Sequence, residues 1–190
     1  MQQEFQTLLG ILAGVGLAAA CGFRVFVPML LAGIAIRSGA LTAADGFTWL
    51  GSTPALIALS VATVLEVGAY YIPGLDHLLD TVATPAAVVA GTLVTASFVT
   101  DVEPWFRWTL AAVAGGGAAA LVQTATVVTR AASGVTTFGL ANPLVSTAEL
   151  ACSTIASVMA IVVPAVAVAL LLVLSVWVLR RSRRRAPIAA

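Results

Sequence analysis

Charge is what this chain has least of. Asp, Glu, Lys and Arg make up 9% of its 190 residues, against 61% apolar ones, and the mean hydropathy is +1.07. A soluble domain carries roughly a quarter charged residues, so the polar surface here is too small to coat a water-soluble globule. Disorder is excluded as well, because disordered chains are polar and charge-rich. Lysine is missing altogether, and all nine basic residues are arginine. Histidine occurs once, as His77, and no Ser–His–Asp or Cys–His device is recognisable. Two cysteines, Cys21 and Cys152, imply no disulfide framework and read as buried free thiols in apolar segments. The residues before Cys21 look like a lipoprotein cleavage site, yet residues 1–7 carry Glu4 and no basic residue. A signal peptide needs a positive start, so Cys21 reads as part of a span. What remains is an all-α polytopic membrane protein. It shows no enzyme signature, and no cofactor is expected.

A span needs about 20 apolar residues. The apolar stretches are 7–36, 53–72, 82–100, 105–133 and 144–179. The first contains Gly22, Arg24 and Pro28 and is too long for one upright helix. It must be kinked, broken, tilted or folded back as a re-entrant hairpin. The fourth is broken by Gly115, Gly116 and Gly117. The last is too long for one span, and Pro164 marks the turn between two. This predicts about six crossings: three in an N-terminal half, residues 1–100, and three in a C-terminal half, residues 101–182. A basic tail, 183–190, follows. Trp49, Trp105, Trp108 and Trp177 fall near the predicted ends, as expected of aromatic belts.

Arg180, Arg181, Arg183, Arg184 and Arg185 mark the cytoplasmic side by the positive-inside rule. With six crossings both termini are cytoplasmic, and the loop 37–52 and connector 101–104 face outside. Three crossings per half is the parity of an inverted repeat. Ala13–Ala19 and Ala114–Ala120 are similar small-residue runs that fit it. Treating 7–36 and 105–133 as hairpins removes the inversion. Gly10, Gly14, Ala18 and Gly22 recur every four residues, the stripe that lets helices pack closely in lipid.

Arg24 and Arg130 are the informative charges. An arginine at the bilayer centre costs about 2.5 kcal/mol or more, so each should face the bundle interior and find a partner. Glu66 and Glu149, one per half, are the candidates. Asp76 and Asp80 lie four apart and share a helix face. They need a cation, an arginine or a proton to stay close. Glu66 should approach them, and Arg130 is the expected contact. A divalent cation is the weaker alternative, because His77 points elsewhere on the helix; whether a metal binds is open.

Glu66-Val-Gly-Ala-Tyr-Tyr-Ile-Pro73-Gly-Leu-Asp76-His-Leu-Leu-Asp80 resembles the signature of domain-of-unknown-function family 4126, small bacterial integral membrane proteins. Thr129-Arg130, Asn142-Pro143, Ser146 and Glu149 are similar to its second-half stretch, so the likeness covers most of residues 10–175. It implies Glu66, Pro73, Asp76, Asp80, Arg130, Asn142, Ser146 and Glu149 as family-like positions. The chain departs from the pattern at Tyr70-Tyr71, where an acidic-basic pair is expected. It departs again at Gln123 and Thr126, in place of His and Lys, and at Val162-Val163-Pro164, in place of a polar turn. The family brings no established activity.

The expected function is a small transporter or permease in the bacterial cytoplasmic membrane. Its polar site would lie between the halves, with Arg24, Glu66, Arg130 and Glu149 binding a small ionisable solute. Asp76 and Asp80 would form a cation or proton site. The rivals are a lipid or polyprenyl-phosphate translocase and a structural or assembly protein with internally paired charges. The expected partners are the bilayer, the solute or a lipid headgroup, and further copies in a homo-oligomer; no nucleic acid is expected.

Overall fold

The computed structural model describes residues 2–72, 75–137 and 140–164, with 166, 173, 176, 177 and 180 beyond them; the side chains of residues 2, 3 and 75–79 are not described. The expected run 165–179 and the basic tail therefore lie largely outside the described residues. The chain is an all-α polytopic membrane protein. Among the described residues its α-helices are α1 (Gln2–Cys21), α2 (Phe26–Arg37), α3 (Thr53–Ala69), α4 (Leu75–Phe98), α5 (Pro104–Leu110), α6 (Gly117–Thr137) and α7 (Asn142–Val162). Among the described residues, four helical stretches are long and apolar enough to cross a membrane: Glu4–Cys21, Asp80–Phe98, Pro104–Thr137 and Asn142–Val162; α2 and α3 are shorter apolar helices.

The stretch 7–36 folds back on itself. In α1, a Cβ on Gly14 would lie 3.0 Å from the Thr95 Cα of α4. The loop after α2 returns to that same end, where the Ala44 N–H donates to the Ser97 carbonyl at 2.7 Å. The chain also doubles tightly over the end of α2, since the N–H groups of Ala40 and Leu41 both donate to the Ala35 carbonyl. α1 and α2 are thus the arms of a hairpin with residues 22–25 at its tip. The expectation that the N-terminus and loop 37–52 face opposite sides is corrected: the start of α1 and residues 40–45 line one cavity of about 510 Å³.

Two things cause the break. Gly22 has no Cβ, and one placed there would lie 2.6 Å from the Ala119 carbonyl oxygen and from Val122 Cβ. The tip is therefore wedged against α6 near the middle of Pro104–Thr137. Pro28, which read as an interruption, sits in the first turn of α2, where its missing N–H breaks no helical bond.

The stretch 105–133, expected to break at its glycines, is continuous instead. A π-helical turn, Ala111–Gly116, joins α5 to α6. The glycines serve packing. Gly91 of α4 is the shared contact: a Cβ there would lie 2.7 Å from Ala119 Cβ, 3.0 Å from the Gly115 carbonyl and 3.3 Å from Ala18 Cβ. Both small-residue runs thus press on the same part of α4. Leu17, Cys21, Val94, Phe98 and Ala119 belong to the buried core around this contact. Cys152, expected to be buried, is exposed on α7. Trp49, Trp105 and Trp108 are exposed near one end of the bundle, where the Phe47 and Trp108 rings lie 6.0 Å apart.

Candidate functional site

Non-helical backbone at membrane depth survives only where its polar groups are satisfied inside the protein. The hairpin tip shows how. The Val25 and Phe26 N–H groups donate to Glu66 Oε1 and Oε2 at 2.7 and 3.1 Å. Glu66, projecting from α3, thereby places a carboxylate at the positive N-terminal end of α2. The Ala20 carbonyl accepts from Ser153 Oγ of α7 at 3.1 Å. Thr126 is buried against the Gly22 carbonyl, with Oγ1 at 3.5 Å. Glu66, expected among solute-binding residues, is engaged by backbone on both oxygens.

This scaffold presents Arg24, which is 1% exposed. Its Nη2 donates to the Ser146 carbonyl at 3.0 Å and lies 3.3 Å from Glu149 Oε2. Arg130 of α6, 2% exposed, pairs through Nη2 with that same Glu149 oxygen. Its Nε lies 3.4 Å from Asp80 Oδ2 of α4. Tyr70, just past the end of α3, fills the space beside both arginines. Their guanidinium carbons lie 4.0 and 4.2 Å from its ring centroid, a cation–π arrangement. The Tyr70 hydroxyl donates to Asp80 Oδ1 at 3.2 Å. Ser146 Oγ lies 3.5 Å from both Arg130 Nη1 and the Tyr70 carbonyl.

Arg24, Arg130, Glu149, Asp80 and Ser146 therefore come together at the tip, and the two expected halves both contribute. Asn142 is buried one turn before Ser146. Glu66 serves the tip, and Asp80 of the acidic connector lies against Arg130, the contact expected for it. Asp76 lies in the first turn of α4, and its side chain and that of His77 fall outside the described residues. Among the described residues, no three of His, Cys, Asp and Glu gather as a metal site.

Several donors and acceptors in this cluster remain open. Arg24 Nε and Nη1, and Glu149 Oε1, are buried without a hydrogen-bond partner. Such groups are costly in a low-dielectric interior and mark where a ligand has something to gain. Sequence reasoning missed Tyr70, which reads as an interface aromatic, and Ser153. The spacing Ser146, Glu149, Ser153, Ser157 was the available signal for Ser153, since it sets four polar groups on one face of an apolar helix; all four are buried.

Gln123 and Thr126 are both buried on the α6 face that meets the tip. They press on the break and leave the charge balance to the arginines and carboxylates. No curated protein and no solved structure matches the chain. The family model described as Domain of unknown function (DUF4126) matches residues 11–184, and the chain belongs to that family.

Proposed function

We propose that the chain is a small transporter or permease, not an enzyme, for a small ionisable solute bound between its two halves. The observation that supports this best is Arg24: a buried guanidinium at the tip of a helical hairpin, with Nε and Nη1 unpartnered. Intramembrane ionisable residues at broken helices are the usual pointer to a solute site in transporters. Arg24 and Arg130 would hold an anionic group, and Tyr70 would keep the two guanidiniums in place. The arginine-rich tail fits a cytoplasmic-membrane protein with that tail inside.

The test is flux in proteoliposomes of the full chain, using small carboxylates, sulfate and phosphate. Wild type should move at least one of them, and Arg24→Gln should lose most of that flux. Absence of flux for every solute in the wild type overturns the reading. A lipid translocase would use the same arginines on a headgroup phosphate. A phospholipid that co-purifies with wild type and is lost in Arg24→Gln, together with no solute flux, would favour it.

A further inference from the structure

The charged cluster is already full, and its occupant is one of its own side chains. Glu149 Oε2 is shared by Arg24 and Arg130. A carboxylate held by two guanidiniums has the geometry by which proteins grip carboxylate, sulfate and phosphate ligands. The grip is incomplete, because Glu149 Oε1 and Arg24 Nε and Nη1 make no hydrogen bond. An anion with more oxygens, or one better placed, would use donors that Glu149 leaves idle.

Charge decides what else must move. Among the described residues, Arg24 and Arg130 are matched by Glu149 and Asp80, while Glu66 is committed to the N–H groups of Val25 and Phe26. An anion added to this balanced set would leave a negative charge uncompensated in the interior, which costs several kcal/mol. A proton arriving with it restores the balance. We infer that Glu149 occupies the seat of a small, singly charged oxyanion (a carboxylate, sulfonate or phosphate diester) and that the oxyanion takes this seat together with one proton, which Glu149 accepts as it releases the two arginines. This rests on reading the cluster as the solute site.

Asp80 is the less suitable proton acceptor. It lies against Arg130 and not between the two arginines, and it is held by the Tyr70 hydroxyl. The groups around Glu149 come from several sides: Arg24 from the tip, Tyr70 beside both arginines at the end of α3, Asp80 from α4 and Arg130 from α6, while Glu66 of α3 is held at the Val25 and Phe26 N–H groups. Along α7 its neighbours are Ser146 and Ser153, both fully buried. A protonated Glu149 becomes a donor, and these residues offer hydroxyl and carbonyl oxygens one turn away on its own helix.

The experiment uses the full chain in nanodiscs of zwitterionic lipid. The probes are methanesulfonate, lactate and dihexanoyl-phosphatidylglycerol, each singly ionised throughout the range from about pH 6 to about pH 8. Calorimetry in buffers of different ionisation heat counts protons per anion bound. Wild type should take up one proton per anion, and its affinity should fall about tenfold per pH unit where Glu149 is ionised in the free protein. Glu149→Gln should bind the same anion without proton uptake and with affinity independent of pH. Asp80→Asn, if folded, should keep the uptake.

Binding of methanesulfonate or lactate assigns the seat to a free solute; binding of the phosphatidylglycerol alone assigns it to a lipid headgroup. The inference falls if wild type binds none of the three, binds without a proton, or if uptake persists in Glu149→Gln. Loss of uptake in Asp80→Asn with retention in Glu149→Gln also overturns it. Proton-linked binding without flux in proteoliposomes removes the transporter reading and leaves the seat standing; flux without a proton does the reverse.

Discussion

Arg24 shows what a buried charge demands of its neighbours. Its partners come from Ser146, Glu149 and Tyr70, all distant in sequence. Because Glu149 serves both arginines, removing it should do more harm than removing either one. Glu149→Ala should destabilise the protein by about 3–5 kcal/mol, the cost of leaving buried charge unpaired. Adding Arg24→Ala to it should recover part of that loss, a non-additivity that thermal unfolding in detergent will measure; simple additivity of the two changes would disprove the coupling. Tyr70 separates into two contributions. Tyr70→Phe loses the bond to Asp80 and should cost about 1 kcal/mol. Tyr70→Leu also loses the ring beside both guanidiniums, worth about 1–2 kcal/mol more, and equal stability of the two variants would remove the cation–π contribution. Arg24, Arg130 and Glu149 were legible in the sequence because a charge in an apolar run must find a partner. Tyr70 was not, since an aromatic at the end of a span has a sufficient reason to sit at the headgroups.

Helix α2 owes its start to a side chain from another helix. Glu66 accepts from the N–H groups of Val25, the last residue of the tip, and Phe26, the first of α2, a tertiary cap with no local signature, which is why the sequence suggested a charge partner for it instead. Glu66→Ala should raise amide hydrogen exchange at Val25 and Phe26 while leaving the centre of α6 protected; unchanged exchange at those two amides would refute the cap. The close approach at the tip makes a second comparison. Gly22→Ala puts a methyl 2.6 Å from a carbonyl oxygen and 2.8 Å from the Gln123 nitrogen, so backbone must shift, at about 1–3 kcal/mol. Gly68→Ala in α3 meets nothing within 4 Å and should be neutral or stabilising by up to about 1 kcal/mol. The same melting measurement ranks them, and a Gly22→Ala variant as stable as Gly68→Ala would contradict the wedge. The sequence could place the small residues at helix contacts, but not say that two separate runs meet the same Gly91, because composition carries no information on which faces are shared.

At the scale of the whole molecule, the fold-back of α1 and α2 sets which segments share a side. The start of α1, residues 40–45 and Asp101 border one cavity, and the chain crosses from that end through α3 before reaching Tyr70. In a background lacking Cys21 and Cys152, cysteines at Glu4, Asp45 and Asp101 should react with an impermeant maleimide from one side, and a cysteine at Leu140 from the other. Labelling of Glu4 and Asp45 from opposite sides would rule out the hairpin. The length of the first apolar stretch announced that something must bend there; the direction of the bend depends on contacts with α4, α6 and α7 that no local pattern encodes. Those contacts also set an order of assembly. Helices α1 and α2 leave the ribosome before α7 and hold a tip whose Ala20 carbonyl and Arg24 Nη2 are engaged by Ser153, Ser146 and Glu149, which are synthesised more than a hundred residues later. The hairpin is thus inserted before the helix that completes it, and until α7 arrives it is a partly built structure with exposed polar groups. A chain terminated before residue 142 should reach the membrane yet be cleared by quality-control proteolysis, and α7 supplied as a separate peptide should protect it.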